Sequence, residues 1–202
     1  MAGFLTSLPH AILAGVILAV LLVLGTLGLP GSLEGLDLYV FCAVLFRWLH
    51  VLSGIMWVGL LFYFNFVQIP SMAKIPDAQK PAIGKVIAPA ALWWFRWAAV
   101  ATLVTGLVLA QLNGYLVEAI TLGLMDAVDK HTMIGIGMWL GTIMWFNVWF
   151  LIWPNQKRVL GLVETDAASK ARAARTALIV SRLNTALVFP MLFAMVSAQN
   201  LY

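Results

Sequence analysis

The sequence predicts an all-α integral membrane protein: a five-transmembrane-helix bundle with its N-terminus cytoplasmic and its C-terminus periplasmic. Composition is the first reason. Of 202 residues, 63% are hydrophobic and only 10% are charged, and the mean hydropathy is +0.98. A soluble domain carries about 25% charged residues to keep its surface wet. Second, the apolar residues collect into five runs, each long enough for the roughly 20 residues that cross a hydrocarbon core. Third, lysine and arginine concentrate in alternate loops, the bias that sets orientation across a bilayer.

The first run covers residues 8–29 and ends at Pro30-Gly31. No Lys or Arg precedes it, so the basic start of a cleaved signal peptide is missing and the run is expected to stay as a span. The second covers 38–69, the third 90–113, the fourth 131–153, closed by Pro154, and the fifth 176–198, which Pro190 is expected to kink. None alternates polar and apolar residues as a barrel strand does. No internal repeat is visible, so residues 1–202 read as a single membrane domain.

The loop after the second run carries Lys74, Lys80 and Lys85, and the loop after the fourth carries Lys157, Arg158, Lys170, Arg172 and Arg175. The other two loops hold Glu34, Asp37, Glu118, Asp126, Asp129 and a lone Lys130. Eight basic residues against one put the first pair of loops in the cytoplasm. The net charge of +4 is therefore a topological signal and gives no reason to expect nucleic acid. Cys42 is the only cysteine, which rules out an intrachain disulfide, a CxxC metal site and a CxxCH attachment for c-type haem. Trp93, Trp94, Trp97, Trp149 and Trp153 fall near the expected inner face, as an interfacial aromatic belt does. Trp57 and Trp139 lie deeper, where an indole can pack on a ring-shaped ligand.

The second run is the least bilayer-like. At helical spacing it presents Arg47, His50, Gly54, Trp57, Leu61, Asn65 and Gln68, a polar and small-residue seam that hydrocarbon penalises. The seam is expected to face other helices or a bound group. His131 opens the fourth run, followed on its own face by Gly135, Met138, Thr142 and Trp145. These two spans run antiparallel, which brings His50 and His131 to the same level near the outer surface. Two neutral imidazoles opposed across a bundle can hold a haem iron, so His50 and His131 are candidate axial ligands for one haem b. Arg47, a turn further out, would pair with the propionates. The bland reading keeps His50 and His131 as interfacial residues and lets Arg47 snorkel. His10 lies at the inner end of the first run, far from the pair, so three histidines cannot build a second such centre. A copper or zinc site finds no further His, Cys or carboxylate at ligand spacing near either histidine.

Toward the inner side, Arg96 opens the third run and Arg182 and Asn184 sit in the polar patch SRLNT of the fifth. They are either snorkelling groups or an anion or quinone site.

The stretches RWLHVLSGIMWVGLLFYFNFVQIPSM, APAALWWFRWAAVATLVTGL and HTMIGIGMWLGTIMWFNVWFLIWPNQKRVL, with SRLNTALVFPMLF, resemble the N-terminal membrane domain of the bacterial membrane-bound urate oxidase (urate hydroxylase) family, over residues 40–200. The RWLH signature of the second run also resembles other small haem-b membrane proteins, among them copper-resistance and protoporphyrinogen-oxidase-like families. The resemblance implies the bacterial inner (cytoplasmic) membrane, an oxidative or electron-transfer role and, in longer members, a C-terminal cytochrome c domain. This chain stops at Tyr202 without a CxxCH, so the expected acceptor is a separate cytochrome c or respiratory-complex subunit. The expected function is a haem-b-binding membrane redox protein that takes electrons from a small-molecule or quinone donor. Iron ligated on both faces has no open position, which makes the haem a conduit and not the reacting centre. The alternative is a non-catalytic accessory subunit of a larger membrane complex, without a cofactor, whose polar seams are packing glue. An anion transporter working through Arg96 and Arg182 fits less well, because five helices without an inverted repeat make a poor alternating-access device.

Overall fold

The computed structural model describes residues 6–27 and 37–202, all of it helix and connecting turns. The expected end of the first span at residues 28–29, Pro30-Gly31 and Glu34 lie outside the described residues. By backbone contacts the chain divides into two units, Met1–Cys42 and Ala43–Tyr202. The first holds α1, Leu8–Leu27, a helix with His10 near its start and aliphatic residues on every face.

The second unit is built from α2 (Leu38–Met72), whose first residues belong to the other unit, α3 (Lys80–Leu112), α5 (Asp129–Val159) and α6 (Ala167–Asn200), with the one-turn α4 (Leu116–Ile120) between α3 and α5. Among the described residues, α1 and these four long helices are long and apolar enough to cross a membrane. The chain is thus a multi-pass membrane protein by composition and helix length. The helices outrun the apolar runs at their basic ends, where α3 starts at Lys80 rather than near residue 90 and α6 at Ala167 rather than near 176. Outside hydrocarbon a helix needs caps and not greasiness. Pro81 sits in the first turn of α3, where its missing N–H costs nothing. Asp166 caps α6 by accepting the Ser169 amide at 2.9 Å. Hydrogen bonds from Ser169 hold its carboxyl below the usual carboxylate range.

Large apolar side chains such as Ile55, Phe66, Trp94, Phe189 and Phe193 face outward, an arrangement that water would punish and lipid accepts. The polar groups go inward: Arg96, Asn147, Ser181, Asn184 and Ser197 are buried. α5 and α6 pack most closely, because glycines and alanines line their contact and let the backbones approach. Among the fully covered side chains are Leu61, Phe95, Met144, Val148 and Val188. Phe64 meets Phe95 edge-on at 5.6 Å.

Three long helices contain a π-helical turn: Tyr63–Gln68 in α2, Ile83–Ile87 in α3 and Asn147–Ile152 in α5. Two of these turns carry an asparagine that reaches α6. Asn65 Nδ2 donates to Ser181 Oγ at 2.8 Å. Asn147 Nδ2 donates to Asn184 Oδ1 at 2.8 Å, and Asn184 returns a bond to the Met144 carbonyl at 3.0 Å. Replacing Asn184 by Ala strands the Asn147 donor where no water reaches. The expected loss is about 1–3 kcal/mol, read as a lower unfolding midpoint in mixed detergent. An unchanged midpoint would mean that the asparagine pair contributes nothing.

Candidate functional site

Between residues 47 and 59 of α2 and the facing stretches of α3, α5 and α6 lies a cavity of about 630 Å³. It exists because α2 there keeps its backbone away from its neighbours and because Gly54, Gly59, Gly106 and Gly141 put no side chain into the gap. The volume is that of a site for a sizeable organic ligand.

His50 stands in the wall. Its Nδ1 lies 2.9 Å from the Thr102 carbonyl oxygen and 3.3 Å from Thr105 Oγ1. A carbonyl can only accept, so Nδ1 carries the proton and the lone pair of the neutral ring falls on Nε2. Thr105 agrees with this assignment: its hydroxyl donates to the Ala101 carbonyl at 2.6 Å, which leaves its oxygen free to accept. Thr102, Thr105 and Gly106 share one face of α3, and Gly106 makes the room. A Cβ at that position would stand 2.9 Å from His50 Cε1.

Arg47 lines the same cavity one turn before His50, and its Nη2 donates to Asn113 Oδ1 at 3.4 Å. Tyr115, Gln199 and Asn200 complete a polar rim at that end. Gln199 Nε2 donates to the Tyr115 hydroxyl at 3.5 Å. Burial pushes the Tyr115 phenol up, while the Gln199 hydrogen bond and the charge of Arg47 pull the other way. Trp57, 2% exposed, also lines the cavity. Its indole N–H has no acceptor among the described residues.

His131 is not in that wall. Its Nδ1 is bonded to Asp126 Oδ2, and this bond is the chief reason that the Asp126 carboxyl lies below its usual range. The His131 ring lies 5.7 Å from the Tyr115 ring, so His131 stands behind a residue that lines the cavity. His50 therefore meets the space directly and His131 through Tyr115. Residue spacing alone pairs no carboxylate with either histidine. Asp126 does pair with His131, because Leu122 and Ala127, at φ of 57° and 55°, fold the connection back on the start of α5. No group of three or more His, Cys, Asp or Glu side chains arranged to hold a metal ion occurs among the described residues.

The expected inner trio is not gathered into one site. Asn184 is engaged with Asn147 and Met144. Arg182 is exposed on the outer face of α6. Arg96 is 9% exposed, with its Cζ 3.3 Å from the centroid of the Trp153 ring. Asn65 reaches α6 as its place in the polar seam of the second run predicts, whereas the role of Asn147 escaped the sequence, since a π turn leaves no mark on hydropathy.

Residues 125–201 match the model of the family described as urate oxidase N-terminal. The chain resembles that family. The urate oxidase match takes in Asp126, His131, Asn147 and Asn184, and His50, Arg47 and Arg96 lie before it. No curated protein and no solved structure matches the chain.

Proposed function

We propose that this chain is a haem-b-binding membrane redox protein of the urate oxidase-like kind. It would sit in the bacterial inner membrane and pass electrons from a small-molecule or quinone donor to a cytochrome c or respiratory complex. The observation that carries the reading is His50, in the wall of a cavity that α2, α3, α5 and α6 line, with its Nδ1 proton committed to a backbone carbonyl.

The residues that line the cavity fit one side of such a group, the side of His50. A ligating imidazole ordinarily donates its other N–H to a carbonyl or carboxylate, which fixes the tautomer and the ring plane. His50 does so to Thr102 and His131 to Asp126. Four glycines line the gap, and Trp57 keeps a buried N–H without an acceptor beside it. His50 would hold the iron from the cavity wall, and Arg47 with the polar rim would hold the propionates, while His131 meets that space only through Tyr115. A bound haem supplies one-electron transfer. The chain's own residues do the rest. Thr102 keeps the proton of His50 on Nδ1 and so leaves the lone pair on Nε2. Asp126 anchors His131, and the apolar wall of Leu103, Leu107, Met138 and Met191 excludes water.

The absorption spectrum of the purified full chain tests this. A Soret band and a reduced α band in the b-haem region are expected. His50→Ala is expected to abolish both, whereas His131→Ala, outside the cavity wall, is expected to keep both. A colourless wild-type chain, loaded with haem or not, would overturn the reading. What remained would be the accessory subunit, which should copurify with larger partners and be indifferent to both substitutions.

A further inference from the structure

At the opposite, lysine-rich end of the second unit, two cations gather on one indole. The Arg96 guanidinium lies over Trp153, with Cζ 3.3 Å from the ring centroid and 5.6 Å from that of Trp149. Lys157 Nζ stands 5.9 Å from the same Trp153 ring. The Trp149 indole N–H donates to the Arg96 carbonyl at 3.3 Å, which locks this corner between α3 and α5. Neither cation has a carboxylate. Among the described residues the only ion pairs are Lys80–Asp77 and His131–Asp126.

Arg96 is the telling group. A snorkelling arginine reaches past the protein into headgroup water, yet this one is nine-tenths covered and its Nε is buried without an acceptor. Burial of a cation without a partner is costly, and so is a second like charge beside it. An indole face offsets part of that cost, but it cannot accept a hydrogen bond in the plane of the guanidinium. An oxyanion can, through the fork that arginine offers to phosphate. The surroundings identify its source. Trp93, Trp94 and Trp97 lie exposed on the same end of α3, as side chains at headgroup level do. The helix ends and the connection at this end carry Lys74, Lys80, Lys85, Arg158, Lys170, Arg172 and Arg175, and basic pockets between helices on such a face take anionic lipid headgroups.

We infer that Arg96 and Lys157, which both rest on Trp153, hold the phosphodiester of an anionic phospholipid through their N–H groups. This site lies apart from the cavity at His50 and stands whether or not the chain binds haem.

The test is thermal unfolding of the full chain in detergent, supplemented with phosphatidylglycerol, with phosphatidylcholine, or with inorganic phosphate alone. Phosphatidylglycerol is expected to raise Tm by about 3 °C over phosphatidylcholine. Arg96→Gln and Lys157→Gln are expected to remove that difference, each judged against its own value in phosphatidylcholine, so that a lower absolute Tm does not confuse the result. Lys157 lies in the last turns of α5, and its variant should fold even if that of Arg96 does not. Equal shifts with the two lipids, or a difference that survives both substitutions, would overturn the site. A shift as large with inorganic phosphate as with phosphatidylglycerol would overturn its assignment to lipid.

Discussion

A Gly135→Ala chain is expected to lose about 3 kcal/mol of stability, the upper end of what over-packing costs. A Cβ at this position falls inside van der Waals contact of the Ala119 carbonyl oxygen and 3.2 Å from Leu122 Cδ2. A flexible side chain could swing away, but a backbone carbonyl cannot. The Ala119 oxygen already accepts the Leu122 amide at 3.1 Å, and the Ala119 amide donates to Tyr115 at 2.8 Å. α4 is further strapped to α5 by Thr132 Oγ1 donating to the Leu122 carbonyl at 2.9 Å and by Trp139 Nε1 donating to that of Ile120 at 3.0 Å. The added methyl therefore displaces α4 as a whole and carries Tyr115 with it. Gly141→Ala is the matched control, since a Cβ there meets nothing within 4 Å. Unfolding midpoints of the two variants, with hydrogen exchange at the Trp139 indole, would read the difference. Equal midpoints would show that α4 docks less firmly than its hydrogen bonds imply.

The spans were legible because lipid leaves the chain little choice. A segment in hydrocarbon must satisfy its backbone as helix and coat it with apolar side chains, and both demands are written in composition. The helix ends were less legible, because residues 80–89 and 167–175 are helical outside the apolar runs, held by a first-turn proline and by Asp166. The π turns were invisible, since one extra residue per turn in an apolar segment changes no local property that hydropathy records. At the site, Arg47 and His50 fall on one wall because a spacing of one turn places them there whatever else happens. The neighbours of His50 on α3 required knowing which helix faces α2. Asp126 reached His131 through a connection without periodicity, and the cavity itself is an absence between helices that no residue announces.

Gly106→Ala is expected to weaken haem uptake about tenfold to a hundredfold, the usual cost of disturbing what orients a ligating imidazole. The new Cβ would stand 2.9 Å from His50 Cε1 and 3.1 Å from Nδ1. The ring must move, and it can move only by lengthening its 2.9 Å bond to the Thr102 carbonyl. Thr105→Val should do less, because it removes only the longer contact of 3.3 Å and leaves the carbonyl in place. Gly84→Ala, on the same helix but with open space around it, controls for the altered helix propensity. Two readings separate the geometry from the chemistry. The nitrogen chemical shifts of the His50 ring report whether Nδ1 keeps its proton on the carbonyl, and titration with iron protoporphyrin, followed at the Soret band, reports ligation. A displaced ring with weaker uptake supports both steps. If the ring is displaced and uptake is unchanged, His50 is a packing residue and the iron must be sought elsewhere. If the ring does not move, the contact of the His50 ring with α3 is softer than the glycine suggests, and the positioning role of Gly106 falls.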